Sequence, residues 1–276
     1  MRGAALCINL AHHTDRWRDM SAQAVALPED LAPLRRVDAV VGRHLDPRDP
    51  AIPLSNRCRV RLLERWRVCN GLYVNSTGAV GATLSHVRCL DWLLAQPADA
   101  CAYALILEDD CCLARDFRTT WEREVRPLLL TGDIDWAVLG YMTSSLGHFP
   151  TRLRADGRGY TSLDFLGAHC YVVTRAGAAA LRATVFPIQL HFDKFLAATL
   201  ATQQRDSPRA LVWRTPLAHQ CRFWQPSSIG HRDGELGVLS FLPDLPTVQG
   251  VLLILGVVVV TACLVAVQRG KGQPGG

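Results

Sequence analysis

Residues 103–107 read Tyr-Ala-Leu-Ile-Leu, an unbroken apolar run that constrains the fold more strongly than any other stretch of the chain. Such a run indicates a strand covered on both faces, because a strand with one solvated face alternates apolar and polar residues. Two segments with helical spacing of apolar residues lie at 15–25 and at 85–96, the second with Ser85 as a predicted N-cap. Further strand-like runs occupy 4–10, 136–140 and 170–174. This alternation predicts an α/β fold with a mainly parallel central sheet, whose ligands gather at the carboxyl ends of the strands.

Composition excludes several classes of protein. Hydrophobic residues make up 49% of the 276 residues, which is enough to bury a core and excludes a disordered chain. The formal net charge is +5, and Arg269 and Lys271 near the C-terminus supply two of those charges. We therefore expect no nucleic-acid partner, since the rest of the chain carries only a small basic excess.

The sequence contains ten cysteines, none of them in a C-x-x-C pair. This spacing excludes a zinc ribbon and a thioredoxin-like motif. Single, scattered cysteines are typical of small buried core residues, so we predict core packing rather than a disulfide framework.

An uncharged apolar run occupies residues 250–267. At 1.5 Å per residue it would be about 27 Å long as a helix, close to the thickness of the hydrocarbon core of a bilayer. The sequence thus predicts a folded domain at 1–231, a linker at 232–249, one transmembrane helix at 250–267 and a polar tail at 268–276.

Two features give opposite predictions for the side of the membrane. Arg269 and Lys271 favour a cytosolic tail, which would place the domain across the membrane. The apolar stretch 4–10 is short, and Asn9 interrupts it, so it does not resemble a signal peptide. On that ground we expect a cytosolic domain held by a single C-terminal anchor. The sequon Asn75-Ser76-Thr77 would matter only if the domain were lumenal.

Three consecutive acids, Glu108, Asp109 and Asp110, follow the strand at 103–107. Adjacent carboxylates at the end of a buried strand repel one another unless a cation neutralises them, and their hard oxygen atoms suit Mg²⁺ or Mn²⁺. Such a cation could in turn bind a diphosphate. The alternative is a solvated acidic loop without a ligand.

Five blocks in the sequence resemble, in order, blocks of the glycosyltransferases of family 25, the lipooligosaccharide and procollagen galactosyltransferases. The blocks are Cys7-Ile8-Asn9-Leu10 with Asp15-Arg16, then GAVGATLSH at 78–86, LEDD at 107–110, DWAVLG at 135–140 and GAHCYVVTRAGA at 167–178. A closing SSIG at 227–230 is also similar to that family. Ala82 replaces a cysteine of the family pattern, and residues 43–75 match none of its blocks, so the acceptor is not indicated.

The resemblance implies a GT-A-like nucleotide-binding sandwich that uses a divalent cation, Mn²⁺ or Mg²⁺, and a UDP-sugar. It also implies transfer of a hexose, galactose or glucose, to a hydroxyl of a glycan or glycoprotein acceptor, with inversion at the anomeric carbon. The protein would then be a hexosyltransferase, and the cation would stabilise the departing diphosphate.

On this interpretation each candidate residue has a role. The metal ligands are Glu108, Asp109 and Asp110, and Asp193 is the candidate base that takes the proton of the acceptor hydroxyl, with N-capping of a helix as its alternative. His169 is a candidate for substrate contact, and His86 has a buried core position as its alternative. His219 or His231 could complete the metal shell, and the sequence does not choose between them. The candidates for binding the nucleotide sugar are Asn9, Leu10, Arg16, Ser85, His86, Gln220 and Ser228.

Two other functions fit the same features. A catalytically silent relative would keep the domain as a membrane-tethered module that binds sugars or partners. A metal-dependent nucleotidyltransferase would also use carboxylates at the end of a strand, but it gives no reason for the blocks around His86 and Tyr171.

Overall fold

The computed structural model describes residues 2–64, 72–144, 146–203 and 209–221. The described strands are β1 Gly3–Asn9, β2 Leu34–Asp38, β3 Tyr103–Glu108, β4 Cys111–Leu113, β5 Trp136–Thr143, β6 Arg152–Leu153, β7 Gly159–Ser162, β8 Phe165–Thr174, β9 Ala210–Trp213 and β10 Ala218–Gln220. The described α-helices are α1 Thr14–Gln23, α2 Asn56–Leu63, α3 Thr77–Ala95, α4 Phe117–Thr120, α5 Arg126–Leu130, α6 Arg175–Thr184 and α7 Phe192–Thr202. A π-helical turn, Trp121–Val125, joins α4 to α5, and 3₁₀ turns lie at Ala24–Ala26 and Gly42–His44.

Eight strands form one mixed sheet in the order β2-β1-β3-β8-β5-β9-β7-β6, and β4 pairs with β10 in a separate ribbon. The pairings place β8 antiparallel to β3 and β5, and β7 antiparallel to β9 and β6. The other strands of the large sheet all run in one direction. Strand β1 is parallel to both of its neighbours, β2 and β3, and β5 is parallel to β9. The prediction of an α/β fold with a mainly parallel sheet is confirmed, with β8 as an antiparallel strand at its centre.

Apolar side chains cover both faces of the sheet, as the run at 103–107 predicts. Ala104 and Ile106 of β3 belong to one buried cluster, which includes residues of α3, α6 and α7. Leu105 and Leu107 belong to a second cluster on the opposite face, which includes Trp121. All four β3 side chains are fully buried. The unbroken apolar pattern therefore reflects helices on both sides of the strand.

Helix α3 begins nine residues earlier than the pattern predicts. Its N-cap is Ser76, whose side chain accepts a hydrogen bond from the amide of Ala79, and not Ser85, which lies in the helix interior. The predicted start was wrong because the glycines of the first turns, at 78 and 81, lower helix propensity. Here they permit close packing: a Cβ on Gly81 would lie 2.7 Å from the carbonyl oxygen of Val40. The first half of α3 consequently lies against the segment that follows β2.

Most described cysteines are buried thiols, as predicted: Cys7, Cys58, Cys89, Cys101, Cys111 and Cys170. One pair departs from the prediction, because Cys112 and Cys221 form a disulfide over a sequence separation of 109 residues. The antiparallel pairing of β4 with β10 brings these two cysteines together, and a sequence cannot show this because the two strands are far apart along the chain.

Within the described ranges, no helix is long and apolar enough to cross a membrane. The predicted linker at 232–249, the transmembrane helix at 250–267 and the tail at 268–276 lie outside the described residues.

Candidate active site

A cavity of about 90 Å³ opens at the carboxyl ends of β1 and β3, beside the first half of α3. Eight of the predicted site residues line it: Leu10, Arg16, Ser85, His86, Glu108, Asp109, Asp110 and Gln220. Ile8, Ala39, Val40 and Ala82 complete the wall. The parallel pairing of β1 with β3 brings these distant segments together.

Asp109 is held by side chains that come from β1 and α1. Its carboxylate accepts hydrogen bonds from Nδ2 of Asn9 at 2.6 Å and from the guanidinium of Arg16 at 3.0 Å. Asn9, Arg16 and Asp109 are all buried. Arg16 thus neutralises this acid, which changes the expectation that a metal must neutralise all three carboxylates.

Glu108 is bonded to a buried histidine. Its Oε1 lies 3.3 Å from Nε2 of His86, whose Nδ1 lies 3.3 Å from the hydroxyl of Tyr171. Burial acts to raise the pKa of Glu108, but the hydrogen bond from His86 and the basic groups of His86, His169 and Arg16 together outweigh burial, and the pKa lies below its ordinary value. Glu108 is therefore ionised at neutral pH.

Asp110 has one occupied and one open carboxylate oxygen. Its Oδ2 accepts a hydrogen bond from Nε2 of Gln220 at 2.7 Å. Its Oδ1 is buried and finds no hydrogen-bond partner among the residues that the structure describes. Burial, together with the negative charge of Glu108, raises the pKa of Asp110 to about 6. A buried, unpaired carboxylate oxygen is costly, and a cation is the ligand that such an atom favours.

These groups fit a hard divalent cation that takes part of its coordination from a substrate. In the described ranges, no three His, Cys, Asp or Glu side chains are grouped so that they could hold a metal ion. Mg²⁺ and similar ions are often bound through only one or two carboxylates plus substrate phosphates and water. Asp110, with Glu108 two positions before it, fits that arrangement. Asp109 fits it less well, because Arg16 and Asn9 already bind its carboxylate.

Ser85 lines the cavity in a structural role. Its hydroxyl donates to the carbonyl oxygen of Gly81 at 2.7 Å and accepts from the amide of Val40 at 2.8 Å. It therefore connects the segment after β2 to α3 in the wall of the cavity. These contacts occupy its one proton and one of its lone pairs.

Asp193 and His169 are not among the residues that line the cavity. Asp193 lies in the first turn of α7. Its carboxylate accepts hydrogen bonds from the backbone amides of Gly167 and Lys194, each at 2.7 Å. His169 is buried, and its Nε2 lies 3.2 Å from the carbonyl oxygen of Ala218. Burial lowers the pKa of His169, which is therefore a neutral imidazole at pH 7.

Three candidate site residues, His219, Ser228 and His231, lie near the end of the described residues or after it. His219 lies on β10 with an exposed side chain and does not line the cavity. Ser228 and His231 lie outside the described residues.

Sequence reasoning assigned no role to Tyr171 or Phe192, both of which contact His86. The ring of Phe192 stacks on the imidazole with centroids 4.1 Å apart and planes within 3°. Tyr171 lies in one of the five family-like blocks, and that signal could have identified it. Phe192 directly precedes the candidate base Asp193, but nothing local in the sequence indicates a contact with His86.

No protein-family model matches the chain, and no curated protein matches it. Among solved structures, A197 from STIV is 11% identical, with a TM-score of 0.38 over 77% of this chain and 81% of that chain. The galactosyltransferase LgtC, solved in complex with donor and acceptor sugar analogues, is 13% identical, with a TM-score of 0.31 over 83% of this chain and 90% of that chain. Both TM-scores are too low to establish a shared fold, so the functional argument depends on the cavity and its residues.

Proposed function

We propose that the protein is a divalent-cation-dependent glycosyltransferase with a GT-A-like domain. It transfers a hexose, galactose or glucose, from a UDP-sugar to a hydroxyl of a glycan or glycoprotein acceptor, with inversion. The observation that carries the proposal is Oδ1 of Asp110, which is buried in a cavity at the carboxyl ends of β1 and β3 and has no hydrogen-bond partner within the described part of the chain. The family-like blocks at Asn9, His86 and Glu108 support it, because all three contribute to this one site.

The cation, Mn²⁺ or Mg²⁺, would be held by Asp110 and Glu108, and when bound it would neutralise charge on the departing diphosphate. Without it, Glu108, Asp109 and Asp110 outnumber Arg16, the one cationic side chain that the described residues contribute to the cavity wall. A diphosphate would then meet net negative charge. We therefore expect nucleotide binding to require the metal.

The protein's own residues would position the donor around that charge. Asn9 and Arg16 hold Asp109 in place, and the apolar wall at Leu10, Ala39 and Val40 offers a surface for the uracil or ribose. Inversion needs a carboxylate that accepts the acceptor proton. Asp193 remains our proposal for that base and His169 for a substrate contact, although the contacts described above join both side chains to backbone groups.

The test is release of sugar from a panel of UDP-sugars by the full chain, with Mn²⁺ and then with a chelator. We expect turnover only with metal, and loss of at least about 100-fold in Asp110→Asn, since such a loss is typical when a charge-stabilising group is removed. Asp99→Asn, at an exposed position away from the cavity, is the matched control. Undiminished turnover in Asp110→Asn would refute the assigned cation site.

One observation favours the silent binding module as a second candidate. Arg16 and His86 stabilise two of the three acids within the protein itself, so retention of these acids does not by itself require a working metal site. Thermal stabilisation by UDP without any sugar release or transfer would support this second function over the first.

A further inference from the structure

Tyr171, His86 and Glu108 form a continuous hydrogen-bonded series that runs from the core to the cavity. The hydroxyl of Tyr171 lies 3.3 Å from Nδ1 of His86, and Nε2 of His86 lies 3.3 Å from Oε1 of Glu108. Tyr171 and His86 are almost completely buried, whereas the side chain of Glu108 retains 27% exposure. The series therefore ends at a carboxylate that faces the cavity.

Chemistry fixes the direction of one of the two hydrogen bonds. A carboxylate oxygen accepts, so Nε2 of His86 donates to Glu108, whereas Nδ1 and the hydroxyl of Tyr171 can share the second hydrogen bond in either direction. The stacked ring of Phe192 fixes the plane of the imidazole. Both ring nitrogen atoms of His86 therefore have a hydrogen-bond partner, and one face of the ring packs against Phe192. The Nε2 proton points at Oε1 of Glu108.

We infer that His86 and Tyr171 are positioning residues for the divalent cation: they hold the Glu108 carboxylate in the orientation in which it binds the metal. The inference rests on the cation site of the proposed function and adds a determinant of its affinity. Groups that orient a metal ligand without touching the metal typically contribute about 10–100-fold to metal affinity. A buried histidine with only a packing role would contribute to stability and leave metal affinity unchanged.

The test is the affinity of the full chain for Mn²⁺, followed by electron paramagnetic resonance without nucleotide or acceptor. We expect His86→Ala to bind Mn²⁺ about 10–100-fold more weakly. His86→Gln should stay within a few-fold of the wild type, because its amide N–H can replace the Nε2 donor. Tyr171→Phe should weaken binding by a smaller factor in the same direction, since it leaves the imidazole in place without its partner.

Leu93→Ala is the packing control, because Leu93 is fully buried on the same helix and does not line the cavity. It should lower the melting temperature and leave Mn²⁺ affinity unchanged. Wild-type affinity in His86→Ala, or an equal loss in Leu93→Ala, would overturn the inference.

The inference and the proposed function fail in distinguishable ways. Metal-dependent sugar release together with unchanged Mn²⁺ affinity in His86→Ala would reject the positioning role and keep the enzyme. Weakened Mn²⁺ binding in His86→Ala, rescued in His86→Gln, without turnover of any UDP-sugar would keep the positioning role and reject the enzyme.

Discussion

Asp110 places a third carboxylate in a cavity that already contains Glu108 and Asp109. Its raised pKa means that the fold is less stable when this residue is ionised, because ionisation is easier in the unfolded chain. Functional sites commonly retain such unfavourable groups, since the ligand that relieves the cost is the one the site binds. At Asp110 the relieving ligand would be the cation.

We predict that Asp110→Asn stabilises the metal-free protein at neutral pH. The unfolded pKa is near 3.8 and the folded pKa is about 6. The contribution that favours folding is therefore complete below about pH 4 and is lost as pH rises through the folded pKa, which costs at most about 3 kcal/mol. Urea unfolding with a chelator should show the variant to be more stable than the wild type at about pH 7.5 and nearly equal at about pH 4.

The amide introduced by Asp110→Asn can still accept the hydrogen bond from Gln220, so the comparison isolates the charge. A stability difference that is the same in the acidic and the neutral buffer would contradict the raised pKa. Saturating Mn²⁺ should reverse the order in the neutral buffer, because metal bound to the folded wild type adds stability by mass action.

At the scale of elements, a buried ion pair connects α7 to the turn between β7 and β8. Lys194 is 0% exposed and its ammonium contacts the carboxylate of Asp164, which also accepts a hydrogen bond from the amide of His148 at 2.9 Å. Burial would raise the pKa of Asp164, but the hydrogen bonds from Lys194, His148 and Ser144 and the charge of Lys194 together outweigh burial and lower the pKa. This pair fixes the first turn of α7, which also carries Phe192 and Asp193.

Lys194→Met should destabilise the fold by roughly 3–5 kcal/mol at neutral pH, because it leaves the Asp164 carboxylate buried without its cation. Lys194→Met combined with Asp164→Asn should recover most of that loss, since the amide oxygen introduced by the second change still accepts from the amide of His148. Chemical denaturation measures both free energies of unfolding.

The exposed pair Arg182 and Asp91 provides the matched control, with side chains 38% and 51% exposed. Arg182→Met should cost less than about 1 kcal/mol, because water screens that pair. Equal losses in Lys194→Met and Arg182→Met would show that burial does not govern the energy of the Lys194 pair.

The local sequence pattern predicts where strands and helices lie better than it predicts which residues contact one another. The strands at 103–107 and 136–140 are evident in the sequence, because a strand with both faces buried consists of an unbroken run of apolar residues. The start of α3 is not evident, because glycine at 78 and 81 serves close packing against the segment after β2, which no local window contains. The partners of Asp109 and Glu108 are equally hidden, since they come from β1, α1 and α3. Sequence therefore locates the acids of the site but not which of them is already neutralised.

At the scale of the whole molecule, the Cys112–Cys221 disulfide fastens β10 beside the acids of the cavity. Its two residues lie 109 positions apart, and Gln220 beside it binds Asp110. We predict that Cys112→Ser combined with Cys221→Ser lowers the free energy of unfolding by roughly 2–5 kcal/mol, since the crosslink restricts the unfolded chain.

A reductant should lower the stability of the wild type by a similar amount and leave the double variant unchanged, as urea titrations with and without dithiothreitol can show. A reductant effect of equal size in the double variant would mean that another group is responsible.

The same crosslink can report on the cell compartment. A disulfide persists where the surroundings are oxidising, and the thiol pool of the cytosol reduces it. Alkylating free thiols at the moment of lysis would show which of these two environments surrounds the domain. If Cys112 and Cys221 resist alkylation, the domain lies in the secretory lumen or the periplasm. If they are labelled, it lies in the reducing interior of the cell.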